Sequence, residues 1–174
     1  MPLLDNRALA LWALISGVLA CSACYSSDLG SPIGNCQVDE QVYFSCPVSK
    51  QRYVSLCGNP DAGKQGIYYR FGNKDNMELE FPSNNEAGGF FYNSYHRPRA
   101  EYTEVAFHQD GYQYKVFRHY DADLDEYPRY GVAVADSSGN SETVVPCASE
   151  PVNNLSELSG ILPCSQDSAL GCGE

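Results

Sequence analysis

The chain has 174 residues, of which 22 are acidic and 11 basic, giving a formal net charge of −11. A field of that sign repels nucleic acid and argues against a phosphate-backbone ligand, while it attracts cationic partners. It also serves solubility, and composition alone does not separate the two uses.

The first twenty residues read as an export signal. "MPLLDNR" carries Arg7, and "ALALWALISGVLA", residues 8–20, has thirteen residues without a charge. That run suits the apolar core of a signal peptide and is too short for a spanning helix, which needs about 20 residues. Residues 1–20 are therefore expected to be removed. "VLAC" before Ser22 resembles the lipid-attachment box of bacterial lipoproteins, with Cys21 as the lipidated residue, although Leu19 is larger than usual there. Cleavage next to an unmodified Cys21 is the other reading. Residues 21–40 contain "CSACYSSDLGSPIGN", a Ser/Gly-rich composition that reads as a tether. Residues 41–174 remain as a single β domain, long enough for a real core. Any membrane contact would come through a lipid on Cys21.

From residue 41 on, short runs rich in Tyr, Phe and Val alternate with polar turns. "QVYFSC" (41–46) and "RYVSLC" (52–57) come first, then the loop "NPDAGKQG" (59–66). "IYYRF" (67–71) and "MELEF" (77–81) flank "GNKDN"; in the second, Met77, Leu79 and Phe81 alternate with Glu78 and Glu80, as in a half-exposed strand. "FFYNSYH" (90–96) ends at "RPRAE". "YTEVAFH" (102–108) and "YQYKVFRHY" (112–120) flank Asp110-Gly111, a pair suited to a type I′ turn with positive φ at both positions. "YGVAVAD" (130–136) and "ETVVPC" (142–147) form the last pair, and a helical turn around Leu155 and Leu158 follows, with Asn153 or Asn154 as its cap. Eight or nine short strands with short connections predict an all-β antiparallel fold, a sandwich or a meander or barrel. Most of the thirteen tyrosines belong at sheet faces, and a minority are available for a binding surface.

The eight cysteines are Cys21, Cys24, Cys36, Cys46, Cys57, Cys147, Cys164 and Cys172. Behind an export signal they are expected to form disulfides. Cys164 and Cys172 flank a short loop and are expected to pair. If the hairpin turns at Ser49–Lys50, Cys46 faces Tyr53 and Cys57 faces Val42, on one face but roughly 13 Å apart. A bridge needs Cα atoms within about 7 Å, so each is expected to reach another segment. The pairing of Cys36, Cys46, Cys57 and Cys147 is otherwise open.

"FRHYDADLDEYPRYG" (117–131) packs Asp121, Asp123, Asp125 and Glu126 into six residues. The first three match the D-x-D-x-D opening of a calcium loop. Glu126 stands where an EF-hand needs Gly and Val132 where it needs a bidentate Glu, so a hairpin loop with carboxylates facing water is expected instead. His119 beside this loop is a candidate general base. His96 and His108 are expected to be structural or surface residues. Arg97 and Arg99 in "HRPR" suit a carboxylate or phosphate, with a salt-bridged loop the expected state. No motif calls for a cofactor.

The phrases "VYFSC…YVSLCG…IYYRFG…ELEFP…EYTEVAF…YQYKVF" resemble a group of small exported bacterial Cys-containing β proteins of uncharacterised function. That resemblance implies a single domain in the periplasm or on the outer membrane, with secretion as the alternative, and supplies no site residues. In size, disulfides and β content the chain is also similar to periplasmic lysozyme inhibitors and immunity proteins. The expected function is a non-catalytic envelope binding protein, an inhibitor or immunity protein for a basic secreted hydrolase. The alternative is a hydrolase or metal-dependent enzyme built on His119 and the loop 121–126.

Overall fold

The computed structural model describes residues 33–49, 51–82, 89–136, 138 and 141–172. Residues 1–20, expected to be an export signal, and Cys21 and Cys24 lie outside them. Ten strands form two antiparallel sheets. The first has the order β10-β1-β2-β3-β4, with β1 Gln41–Ser49, β2 Arg52–Gly58, β3 Ile67–Asn73, β4 Asn76–Phe81 and β10 Val152–Asn153. The second runs β5 Phe91–Arg97, β6 Ala100–Gln109, β7 Tyr112–Asp121, β8 Arg129–Asp136 and β9 Glu142–Pro146, in that order. Each is a meander of sequence neighbours, except that β10 returns to pair with β1. Among the described residues neither sheet closes into a barrel.

The sheets pack face to face because alternate residues of each strand are apolar. Phe44, Val54, Leu56 and Tyr69 from the first meet Val105, Phe107, Val116 and Val132 from the second. Phe107 stacks on Phe81 at 4.5 Å and on Tyr114 at 4.8 Å between ring centroids. Burial pushes the Tyr69 phenol well above its ordinary pKa, so it stays neutral in the core. Leu155 and Leu158, on a 3-10 helix Leu155–Gly160, complete this core. Asn154 stands at that helix's N-cap, but its side chain donates to Val42 O (2.9 Å) instead of capping.

Asp110 and Gly111 both have positive φ, 52° and 80°, between the paired Gln109 and Tyr112. The β1–β2 hairpin differs from expectation. Ser49 pairs with Arg52, Gln51 between them has φ 70°, and the register shifts between Val42 and Phe44 and between Pro47 and Ser49. Cys46 therefore lies opposite Val54, not Tyr53, while Cys57 keeps Val42. One residue of slip reverses a face. Cys46 points into the core, and Cys57 points outward, so the two do not share a face as the unbulged hairpin implies.

Three disulfides staple the domain: Cys36–Cys57, Cys46–Cys147 and Cys164–Cys172. Cys46–Cys147 spans 101 residues of sequence and ties β1 to the end of β9, where Ala148 N–H also donates to Pro47 O at 2.7 Å. Three such bridges belong to an oxidising environment outside the cytoplasm. No described helix is long and apolar enough to cross a membrane.

The segment expected to be a tether, 21–40, joins the fold at its C-terminal part. Residues 34–36 lie against the outside of the first sheet. Gly34 sits at φ +61°, where a Cβ would come within 2.1 Å of Ser45 Oγ, so only glycine allows this approach. Asn35 Nδ2 donates to Tyr53 O (3.1 Å) and Gly72 O (3.2 Å). Arg70, its side chain 7% exposed, pairs with Glu40 and with Glu80 and also donates to Asn35 O. Gly34, part of the composition that resembles a linker, is what lets this stretch lie close to the strands.

Candidate functional site

The register of three strands builds the acidic loop. Arg97 pairs with Ala100, and Ala100 pairs with Asp121, which sets Arg97 and Asp121 in one row across β5, β6 and β7. Asp121 is 4% exposed, and its Oδ2 accepts from Arg97 Nη2 (2.9 Å) and Tyr102 OH (3.2 Å). Its Oδ1 accepts the N–H of Asp123 at 3.0 Å, and its carbonyl accepts from Leu124 N and Asp125 N. Asp123 pairs with Arg99 at 2.8 Å and Asp125 with Arg129 at 2.9 Å. The expectation that these carboxylates face water is therefore corrected for Asp121 and Asp125, which turn inward because arginines brought by neighbouring strands lie there. Asp123 and Glu126 are exposed. The backbone N–H of Asp123, then Arg97 and Tyr102, hold the Asp121 carboxyl below its ordinary pKa against the opposing effect of burial.

The candidate metal ligands Asp121, Asp123 and Asp125 thus each serve a different arginine. Among the described residues the one convergent His/Cys/Asp/Glu group is Cys36, Glu40 and Cys57. Its two sulfurs are bonded to each other and its carboxylate to Arg70, which leaves no thiolate to ligate a metal.

His119 meets a different carboxylate from those of the loop. Its Nε2 lies 3.0 Å from Glu104 Oε1, and its ring packs between Tyr102 (5.1 Å) and Phe117 (4.6 Å). His108 pairs across the strands with Gln113, and His96 is exposed, 3.7 Å from Glu101. Tyr102 separates His119 from Asp121, touching both.

All six described arginines are in ion pairs: Arg52 with Glu78, Arg70 with Glu40 and Glu80, Arg97 with Asp121, Arg99 with Asp123, Arg118 with Glu101, and Arg129 with Asp125. Lys115 pairs with Glu142. No described arginine stands unpaired as a phosphate fork. Asp110, Glu126, Glu150 and Asp167 make no ion pair among the described residues.

Apolar groups project from this same surface. Leu124 is 79% exposed, Tyr127 72% and Val144 50%. Tyr127 and Pro128 form one wall of a groove of about 530 Å³; Val144, Pro146 and Cys147 form the other, and Phe117 also lines it. Arg129, Ser149 and Glu150 complete the lining. A second groove, about 610 Å³, lies on the outer face of β5–β7 under residues 164–170 and is more polar, with Glu104, His108 and Lys115 in it. The sequence reading passed over Leu124 and Tyr127. The available signal was two large apolar residues inside "DADLDEYP", where a solvated loop has no use for them.

The chain matches no protein-family model, no curated protein and no solved structure.

Proposed function

We propose that this is an exported binding protein of the bacterial cell envelope that engages a basic secreted protein, with inhibition of, or immunity to, a cationic hydrolase as its role. The carrying observation is that the described arginines are internally paired while Glu126 and Glu150 are not, beside exposed Leu124 and Tyr127. Acidic surplus steers a cationic partner and apolar anchors hold it. Three disulfides and an apolar leader at residues 8–20 support export. The six paired cysteines leave Cys21 outside the domain's bridges, which suits lipid attachment there and retention on the outer membrane. Cys24 is then left over, and it is the point on which release into the periplasm competes with anchoring. A Cys21→Ala variant that leaves the membrane fraction supports the anchor; an unchanged soluble location excludes it.

The test of function is a biosensor panel of basic envelope-active hydrolases, lysozymes included, against the purified domain. Binding at 20 mM salt that weakens at least tenfold at 300 mM is expected. Failure of every basic protein to bind at low salt rejects the reading.

The His119–Glu104 contact is the one observation that favours a hydrolase instead. Hydrolysis of ester or peptidoglycan-fragment substrates that disappears in His119→Gln would establish it. The same rate in both proteins would remove it.

A further inference from the structure

We infer that the groove between Tyr127–Pro128 and Val144–Cys147 is the seat of the partner, and that its occupant is a projecting loop of a cationic protein. That loop carries an apolar or aromatic residue next to a lysine or arginine. This rests on the function proposed above and adds the place and the chemistry of contact.

Residues 121–125, which lead into the wall, are pinned by Arg97, Arg99, Arg129 and five backbone hydrogen-bond donors, the N–H groups of Asp121, Ala122, Asp123, Leu124 and Asp125, and the Asp125–Arg129 pair spans the wall residues Tyr127 and Pro128. A loop fixed that firmly still presents Leu124 and Tyr127 to solvent. A single exposed apolar residue is ordinary, but Tyr127 shares one groove with Phe117, Pro128, Val144 and Pro146, and a contiguous apolar patch of that kind marks an interaction surface. A partner meets Tyr127 on a backbone stretch bounded on both sides by the Asp125–Arg129 pair, so less backbone entropy is lost on binding.

The volume fits the occupant. A groove of about 530 Å³ is open to a few side chains and falls in the range of about 300–1,000 Å³ typical of binding pockets. Its lining is mainly apolar: Phe117, Tyr127, Pro128, Val144 and Pro146. An inserted apolar residue therefore displaces water from both walls. The charge then fixes the rest. Arg129 is neutralised by Asp125, whereas Glu150 in the lining and Glu126 next to Tyr127 make no ion pair among the described residues. The half of the sequence that builds the groove, residues 101–174, has thirteen acids and three bases, Lys115, Arg118 and Arg129, each already paired. A cation flanking the anchor residue finds carboxylates and the faces of Tyr127 and Phe117.

The probe is a pentapeptide with tryptophan between two lysines and glycine at both ends, titrated into the 15N-labelled domain at 20 mM salt. Amide shifts are expected at Phe117, Tyr127, Tyr130, Val144 and Cys147. Affinity should fall at least tenfold in Tyr127→Ser or Val144→Asp and about threefold in Glu126→Gln with Glu150→Gln. Both single variants alter exposed side chains, and an unchanged melting temperature verifies their folding. Shifts that map to another face reject the groove and leave the function standing. Equal binding by a peptide with glutamine in place of lysine, or with serine in place of tryptophan, rejects the stated occupant. Concentration-dependent shifts at the same residues without peptide assign the groove to a second copy of the chain and overturn the inference. A basic hydrolase that binds Tyr127→Ser as tightly as wild type overturns it too, whereas no binding of peptide or hydrolase rejects both proposals.

Discussion

The segment before β1 and the segment after the 3-10 helix Leu155–Gly160 each lie against the outside of a sheet, and each is held through one asparagine amide. Asn35 belongs to the first segment and reaches into the strands, to Tyr53 O and Gly72 O. Asn93 belongs to β5 and reaches out to the second segment, to Ser165 O (2.8 Å) and Gly171 O (2.7 Å). The covalent links differ in the same sense. Cys36–Cys57 joins segment to strand, whereas Cys164–Cys172 closes a ring within the segment itself. The second segment is attached by Asn93, by Tyr92 N–H to Pro163 O (2.9 Å) and by a bridge between Ser94 and Cys172. The first segment is thus a working part of the cooperative fold, and the second is a preformed ring hung on an edge strand. The difference teaches that a similar disulfide count per segment carries different mechanical meaning, depending on what the bridge spans.

The largest effect should come from Arg70→Ala. It leaves the nearly buried Glu40 carboxylate without its partner, and breaking such a pair costs about 3–5 kcal/mol. A urea midpoint corresponding to less than about 1 kcal/mol would mean the first segment is no more integral than the second. Next is Cys36→Ser with Cys57→Ser. Opening a loop of 21 residues removes about 3 kcal/mol in the chain-entropy account. Hydrogen exchange at residues 36–40 should then rise together with the fall in global stability. Cys164→Ser with Cys172→Ser opens a loop of 8 residues, worth up to about 2.5 kcal/mol by the same account. Here the expected result is faster exchange confined to residues 165–171 with the melting midpoint nearly unchanged, because the ring opens by itself. A midpoint lowered as far as in the first double variant would erase the contrast.

The smallest effect separates both segments from the acidic loop. The folded Asp121 carboxyl is held below the ordinary value of 3.8. Its stabilisation is complete above the unfolded pKa, about 3.9, and is lost as the pH falls through the lower folded value. The melting-temperature gap between wild type and Asp121→Asn should be constant from pH 7 to pH 5 and close below about pH 4. A gap that persists to pH 2 would show that the carboxylate charge is not what holds this loop.

The strands were legible because their signals are local. Alternation in Met77–Phe81 and the Asp110-Gly111 turn depend only on neighbours a few residues away. The β1 bulges were not legible, since nothing in "QVYFSC" marks the slip that turns Cys46 inward and leaves Cys57 outside. The inward turn of Asp121 was hidden for a related reason. Its partner Arg97 is 24 residues away and arrives only through the registers of two strand pairs. "HRPR" and "DADLDE" were each visible as charge clusters, but their mutual neutralisation is a property of the sheet. Residues 34–36 were misread because small residues suit both a flexible linker and a close approach to strands.

The return of β10 to β1 sets a timetable for folding. Sheet neighbours elsewhere are consecutive, so hairpins from β1 to β4 and from β5 to β9 can form as soon as their residues exist. The core has no lid until Val152–Asn153 pair with Phe44 and Ser45 and Leu155 and Leu158 move in beneath. A chain lacking residues 152–162 is a stack of hairpins with the parts of β1, β5 and β6 that the 3-10 helix touches left uncovered. Completion therefore waits for residues 152–162, so every hairpin of both sheets is synthesised before the core can close.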